Sequence, residues 1–523
     1  MNGQNKENWG SRIGIIFAVM GSAIGIGNFV RFPGIASKYE GGAFMIPYFI
    51  ALLLLGLPIA WVEWSLGRYG GIKGFNSSPG IFRSVWKNRI SPYMGVLGLV
   101  VPVGIYMYYV LIESWCLYYA YAYLTGEMNL GKDPGAYQAF FGDFTGVKED
   151  GILFSGVTPA VVFMLISFFL NMAVIYRGLT KGIELLCKYA IPLLFLIAIV
   201  MLVRVLTLGT PNPDLPDQNI LNGLGYMWNP GAGGKSLLES LKNSQMWLEA
   251  AGQIFFSLSV GFGVIITYAS YLKKDDDIAL SSVTSVSGNE FAEVALGGMI
   301  LVPAAFIFLG PLLIGGQGTF TLGFITIPMI FAHMPLGQFF GFLWFFLLFL
   351  AAYTSSLSML QPAIAFFEEG IGTGRRASVT LLSFIVLVGT SFVMYFSQDT
   401  KALGTMDFWI GSFLIYTLAT VEVIIAAWIF GAKNILNEAR KGALIKIPRF
   451  VEFLIKYVTP TYLIVIFSIW VYQNMPGYIK GFSEDGVARL TLVFIFVLIV
   501  FFLFLIGTAV KRWDQEEKKG GVK

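Results

Sequence analysis

Asn28 closes the run Gly21-Ser-Ala-Ile-Gly-Ile-Gly-Asn28, where three glycines fall within seven residues of an apolar segment, Ile13 to about Ala36. Each glycine weakens a helix by roughly 1 kcal/mol relative to alanine. In hydrocarbon a freed peptide group is tolerated only where protein or a wet cavity satisfies it. The run therefore reads as a helix broken near the membrane midplane, offering loose N–H and C=O groups and the Asn28 side-chain oxygen to a ligand. Gly21 and Gly25 also form a G-x-x-x-G pair, a signature of close helix packing. A second stretch, Ser257-Leu-Ser-Val-Gly-Phe-Gly263, tips the balance, because both copies place Gly-x-Gly at the break: Gly25/Gly27 and Gly261/Gly263. Paired interruptions in corresponding positions of two halves point to a midplane binding site.

Ionisable residues at membrane depth are functional candidates by default. Glu63, Glu113, Glu293 and Glu422 qualify, with Asp407 at an outer helix end. For Glu63, Glu113 and Glu422 a structural hydrogen bond to a broken helix or a tyrosine is the expected role. His333 is the single histidine, and Cys116 and Cys187 lie in or beside apolar segments as packing residues. No His/Cys cluster or nucleophile–base pair stands out, so the chain is not expected to be an enzyme.

The elements that must hold these residues follow from composition. Of 523 residues, 56% are hydrophobic and 13% charged, with a mean hydropathy of +0.71. A soluble domain carries about 25% charge, so the chain is an all-α integral membrane protein in contact with the lipid bilayer. The net charge of +4 sits in loops and gives no reason to expect nucleic acid. The polar N-terminus through Arg12 and the length of the first apolar stretch argue against a cleavable signal peptide.

Twelve transmembrane helices are expected, over about 13–36, 43–69, 93–124, 158–176, 183–206, 245–270, 289–313, 338–370, 377–396, 407–431, 449–474 and 488–511. Lys and Arg concentrate in alternate loops, which by the positive-inside rule makes both termini cytoplasmic. The broken segments are the first and the sixth, and five spans per repeat is odd. The second unit must then enter the membrane from the opposite side, a 5+5 inverted-topology repeat with helices 11 and 12 appended. The expected division is 1–12 cytoplasmic N-terminus, 13–206 first repeat, 207–244 extracellular loop, 245–431 second repeat, 432–511 the last two helices and 512–523 cytoplasmic tail. Outer loops 125–157, 207–244 and 314–337 could cover an entrance.

Several motifs carry a resemblance over nearly the whole chain. They are Trp9-Gly-Ser-Arg-Ile-Gly, Gly25-Ile-Gly-Asn-Phe-Val-Arg-Phe-Pro33, Gly41-Gly-Ala-Phe-Met-Ile-Pro-Tyr48, Gln253-Ile-Phe-Phe-Ser-Leu-Ser259, Thr267-Tyr-Ala-Ser-Tyr271, Thr354-Ser-Ser356 and Met406-Asp-Phe-Trp409. The chain resembles the neurotransmitter:sodium symporters, most closely their bacterial leucine-transporter-like branch. The resemblance implies a multi-pass protein of the plasma (inner) membrane, and a homodimer is compatible with it.

The resemblance also implies where ligands sit. An amino-acid carboxylate would meet the N–H groups of Ile26 and Gly27 at the positive end of a half-helix, and the Tyr109 hydroxyl. The ammonium would meet the carbonyls of Ala23, Phe256 and Ser257 and the Ser259 hydroxyl. Gly25 stands where monoamine-carrying relatives place an aspartate, which favours an amino acid with its own carboxylate. Ile105, Phe256, Phe262 and Met359 would form an apolar wall suited to a neutral hydrophobic side chain, with an aliphatic one expected, and Ser355 would also border the substrate. Fine selectivity is not readable, since a methylene is worth only about 1–3 kcal/mol in such a pocket.

Two sodium sites are implied, and hard cations favour oxygen ligands. One would use the Ala23 carbonyl, Asn28, Ser257 and Asn289, with the substrate carboxylate shared as a further ligand. The other would use the carbonyls of Gly21, Ile24 and Ala351 and the hydroxyls of Thr354 and Ser355. Thr354 and its neighbours would otherwise back-bond within their helix. Glu293, four residues after Asn289 and hence on the same face, would replace chloride as the compensating negative charge. Arg31 and Asp407 would pair as the outer gate, above Tyr109 and Phe256. Lys6 and Glu369, packed by Trp9 and Tyr268, would form the inner one.

The reading is a chloride-independent, sodium-coupled amino-acid symporter working by alternating access. The rival readings are an amino-acid-binding membrane receptor and a sodium channel on the same fold. A channel needs rings of ligands around a continuous pore, and a receptor would carry a signalling domain, which the sequence lacks.

Overall fold

The first broken segment is two helices, α1 (Arg12–Ala23) and α2 (Gly27–Lys38), bent by 53° at the glycine run. Ser11 starts α1 by accepting the Gly14 amide at 3.0 Å, an ordinary N-cap. This computed structural model describes residues 7–39, 41–232, 234–310 and 318–519. Lys6, expected at the inner gate, lies outside the described residues.

The chain continues as α3 (Gly41–Ile72), α4 (Ser78–Val85), α5 (Ser91–Thr125), α6 (Pro134–Thr145), α7 (Pro159–Ile175) and α8 (Leu179–Leu206). Two short helices, α9 (Ile220–Trp228) and α10 (Leu237–Leu241), precede the second broken segment. That segment is α11 (Ser244–Leu258) and α12 (Val264–Ala269). Then follow α13 (Ile278–Leu309), α14 (Thr319–Ala332), α15 (Gly337–Ile371), α16 (Arg375–Tyr395), α17 (Gln398–Arg440), α18 (Phe450–Glu484) and α19 (Gly486–Lys518). Among the described residues, nine helices are long and apolar enough to cross a membrane, and the bent α1–α2 pair makes a tenth.

The long connections carry helices of their own: 125–157 carries α6, 207–244 carries α9 and α10, and the described part of 314–337 carries α14. Local caps explain this, with Asp133 before Pro134 and Asn219 before Ile220 each accepting an amide of its helix. Several spans also run past their expected ends. Asp277 accepts the Leu280 amide at 2.9 Å and so starts α13 well before residue 289.

The core sits on α5, which lies along α15. The apolar window of α5 is 94% buried, whereas those of α18 and α19 are 28% buried. A helix apolar all round and buried all round belongs at the centre of a bundle; α18 and α19 are its lipid-facing edge. At one end of the bundle Arg68 of α3, fully buried, donates Nε to Glu438 of α17 at 2.9 Å. Its remaining N–H groups reach the carbonyls of Asp276, Lys441 and Glu438, so one guanidinium ties the α12–α13 loop to the end of α17.

Candidate functional site

Both helix breaks lie beside α15, and each is built by its own sequence. In the first, Ile24 leaves helical geometry (φ −73°, ψ 103°). The Gly25 amide then turns onto Asn28 Oδ1 at 2.8 Å, and the Ile26 amide donates to the Tyr109 hydroxyl of α5 at 3.3 Å. In the second, Ser259, Gly261 and Gly263 all adopt left-handed backbone, with φ of +54°, +72° and +77°. Glycine carries that conformation without strain; Ser259 is held in it by its hydroxyl, which donates to the Ser22 carbonyl at 2.9 Å. Gly261 donates its amide to Glu63 Oε1 of α3 at 2.5 Å. Glu422 of α17, also fully buried, lies against Glu63.

Between the breaks, four polar side chains converge at full burial. Asn28 Nδ2 donates to Asn289 Oδ1 at 2.9 Å, to Glu293 Oε2 at 2.9 Å and to Ser257 Oγ at 3.3 Å. Asn289 Nδ2 reaches Ser257 Oγ at 2.6 Å, and the Ser257 hydroxyl donates to Glu293 Oε2. Gln253 Nε2 completes the ring on Glu293 Oε1 at 2.9 Å. Gln253/Ser257 on α11 and Asn289/Glu293 on α13 are each spaced by four, so each pair presents one helix face. Three of these side chains, Asn28, Ser257 and Gln253, donate to Glu293.

Ser22 is the hinge to α15. Its carbonyl also accepts the Ser355 hydroxyl at 3.0 Å, and its own Oγ is 2.8 Å from that of Ser358. The Thr354 hydroxyl back-bonds to Leu350 and Ala351 at 3.1 and 3.2 Å. Gly21 permits the close approach: a Cβ there would fall 3.1 Å from Thr354 Cβ and Cys187 Sγ. The expected wall residues Ile105, Phe262 and Met359 are buried, and the Phe256 and Phe262 rings meet edge to face at 6.4 Å.

Above the site lies a cavity of about 180 Å³, lined by Ile26, Gly27, Tyr109, Phe256, Arg31 and Asp407, among others. Arg31 and Asp407 do not form the direct ion pair expected of them. The Arg31 guanidinium sits over the Phe256 ring at 4.6 Å, and Asp407 accepts the Tyr108 hydroxyl at 2.8 Å. The cavity keeps the two charges apart, and each has found a local aromatic partner. Phe320 and Phe324 of α14 line one side of it.

At the opposite end of the site Trp9 donates Nε1 to the Tyr268 carbonyl at 2.8 Å, and the two rings meet edge to face at 5.2 Å. Glu369 accepts from the amides of Asn76 and Ser77 and from the Ser77 hydroxyl. Sequence reasoning missed Glu184 of α8, which accepts the Gly10 amide and the Ser11 hydroxyl, each at 2.8 Å. It also missed Ser22 and Gln253. The signal for Gln253 was its i, i+4 spacing to Ser257.

Two broken helices enclosing a buried, oxygen-rich site at the core of an apolar bundle are the architecture of a secondary transporter. The family model for the sodium:neurotransmitter symporter family matches residues 6–138 and 136–512, and the chain belongs to that family. It is 28% identical over 523 residues to an uncharacterized sodium-dependent transporter of Methanocaldococcus jannaschii, covering 98% of this chain and 99% of that one. It is 26% identical over 513 residues to the sodium-dependent serotonin transporter of Drosophila melanogaster, covering 91% and 78%. Among solved structures, MhsT in complex with L-phenylalanine superposes with a TM-score of 0.74 at 24% identity, covering 88% of this chain and 99% of that one. The protein is a sodium-dependent transporter with membrane-spanning helices, and its family is one of transporters, not enzymes.

Proposed function

We propose that the protein is a chloride-independent, sodium-coupled symporter of neutral hydrophobic amino acids, alternating access around the two breaks. The observation that carries this reading is the convergence of Asn28, Ser257, Asn289 and Glu293 at the Gly25–Gly27 break. Their amide and hydroxyl oxygens, with the Ala23 carbonyl, form the hard donor set that Na+ prefers. The second Na+ would use the Gly21, Ile24 and Ala351 carbonyls with Thr354 and Ser355, the Thr354 hydroxyl giving up its back-bond. Glu293, already surrounded by donors, supplies the negative charge that a chloride ion would otherwise provide.

The substrate carboxylate would take the Ile26 and Gly27 amides with Tyr109, and its ammonium the carbonyls of Ala23, Phe256 and Ser257 with the Ser259 hydroxyl. A carboxylate shared with the first Na+ makes each ligand improve the other's site, which is the thermodynamic content of coupling. The wall of Ile105, Phe256, Phe262 and Met359 favours an apolar side chain. That MhsT was solved with L-phenylalanine supports testing aromatic as well as aliphatic candidates. Twelve crossings in a 5+5 inverted repeat, with both termini cytoplasmic in the plasma (inner) membrane, fit this reading.

The test is uptake of radiolabelled leucine into proteoliposomes under an inward Na+ gradient, with chloride replaced by gluconate and phenylalanine and alanine as competitors. Concentrative uptake that survives the replacement is expected. A failure of all three to accumulate or compete under a Na+ gradient would overturn the substrate assignment.

A further inference from the structure

Another buried carboxyl, Glu113, lies outside the site described above. It lies on α5, one helical turn beyond Tyr109, and it, Asn171 of α7 and Ser356 of α15 are all fully buried. Asn171 Nδ2 lies 3.0 and 3.1 Å from the two Glu113 oxygens and 2.9 Å from the Ser167 carbonyl. That carbonyl fixes the amide's orientation, because the reverse assignment would set two acceptors against each other. Asn171 Oδ1 must therefore face Ser356, whose Oγ is 2.8 Å away.

Ser356 Oγ then meets three acceptors: Asn171 Oδ1 at 2.8 Å, Glu113 Oε2 at 2.6 Å and the Tyr353 carbonyl at 3.1 Å. A hydroxyl has one proton. If Glu113 were a carboxylate, at least one of the two short contacts would set lone pair against lone pair. A carboxylic acid at Glu113 resolves the ring: Glu113 donates to Ser356, Ser356 donates to Asn171, and Asn171 donates back to Glu113. The titratable groups facing Glu113 are Tyr106, Tyr109 and Cys116 on its own helix and Tyr353 on α15, with Arg177 beyond Tyr353. None of those in contact supplies a cation.

We propose that Glu113 is a proton-binding site at membrane depth, holding its proton in this conformation, and that Na+ binding on α15 displaces it. The second half rests on the sodium reading of Thr354 and Ser355 above, which immediately precede Ser356. The exchange balances: one Na+ enters the oxygen set, one H+ leaves the carboxyl for water, and the buried charge is unchanged. This matters because an uncompensated charge at such depth is costly.

The test compares wild type and Glu113→Gln in lipid nanodiscs by infrared difference spectroscopy. Gln reproduces the donor and acceptor of the neutral acid, so the variant is expected to fold and melt as wild type does, while a protonated-carboxyl C=O band disappears. Identical spectra in that region would overturn the proposal. Should Glu113→Gln fail to fold, Ser356→Ala serves: removing the acceptor should shift the same band, and no shift overturns it.

For the exchange, displacing one proton per Na+ means that each pH unit of acidification should weaken Na+ affinity up to about tenfold in wild type and leave Glu113→Gln unchanged. A pH-independent wild type overturns the exchange. Thr354→Ala separates the two readings: if it keeps full Na+ affinity, the sodium site is wrong, and the infrared result stands independently.

Discussion

The Tyr109 hydroxyl accepts the Ile26 amide across the first helix break, 3.3 Å from N to O. A residue of the rigid core thus holds a peptide group that a ligand would use. Tyr109→Phe should weaken substrate binding about tenfold or more, since a hydrogen bond to a charged group is worth about 1.5–3 kcal/mol. Equilibrium binding of radiolabelled amino acid to the detergent-solubilised protein measures this. Unchanged affinity would remove Tyr109 from the site.

Gly261 should not tolerate a side chain. Its φ of +72° costs an L-residue about 1–2 kcal/mol. A Cβ would also fall 2.8 Å from Ala419 Cβ and 3.1 Å from the Ile415 carbonyl. Gly261→Ala should lower the melting temperature by the equivalent of at least about 2 kcal/mol. Glu63→Ala, which orphans the Gly261 amide, should cost about 1–3 kcal/mol, and thermal unfolding in detergent compares the two.

The Arg68–Glu438 clamp makes a sharper claim. Breaking a buried ion pair by removing one partner costs about 3–5 kcal/mol, so Arg68→Ala should be strongly destabilised. Arg68→Lys should not rescue it, because a lysine cannot reach Glu438 and three carbonyls from one planar fork. A lysine variant melting like wild type would show that charge alone matters there.

Glu293 carries the chloride prediction. Glu293→Ser removes the fixed negative charge beside Asn28 and Asn289, so Na+-driven uptake should become dependent on external chloride. Replacing chloride with gluconate should then abolish uptake in the variant and spare wild type. Loss of uptake in both media, with folding intact, would mean that the carboxylate does something an anion cannot.

The helix breaks were legible in the glycine spacing, because the repeat of Gly-x-Gly inside a second apolar segment outweighs the helix-packing reading of Gly21 and Gly25. Asn289 and Glu293 were legible as one helix face, but that they meet Asn28 and Ser257 came only with the resemblance. That Arg31 and Asp407 stand apart was not readable: whether two opposite charges touch depends on a conformational equilibrium of a few kcal/mol, whereas residue types report only that they can. Glu113 was visible as a buried acid, but its ring with Asn171 and Ser356 joins three helices whose register no local pattern encodes. The helices in these connections had local signals, Asp133-Pro134 among them, that a search for spans long enough to cross a membrane does not register.

The last helix outruns the membrane. Thirty-three residues from Gly486 to Lys518 span about 50 Å at 1.5 Å per residue, against a hydrocarbon core of about 30 Å. The excess is no loose tether. Trp513 is buried, edge to face with Phe75 at 5.4 Å and donating to the Glu369 carbonyl at 3.4 Å. Arg83 of α4 holds Asp514 at 2.7 Å and Glu517 at 3.1 Å. The end of the last helix is therefore a stiff spar bolted to Glu369, and a dye at Lys518 would swing with the helix that bears it, turning small rotations at Glu369 into a readable optical signal.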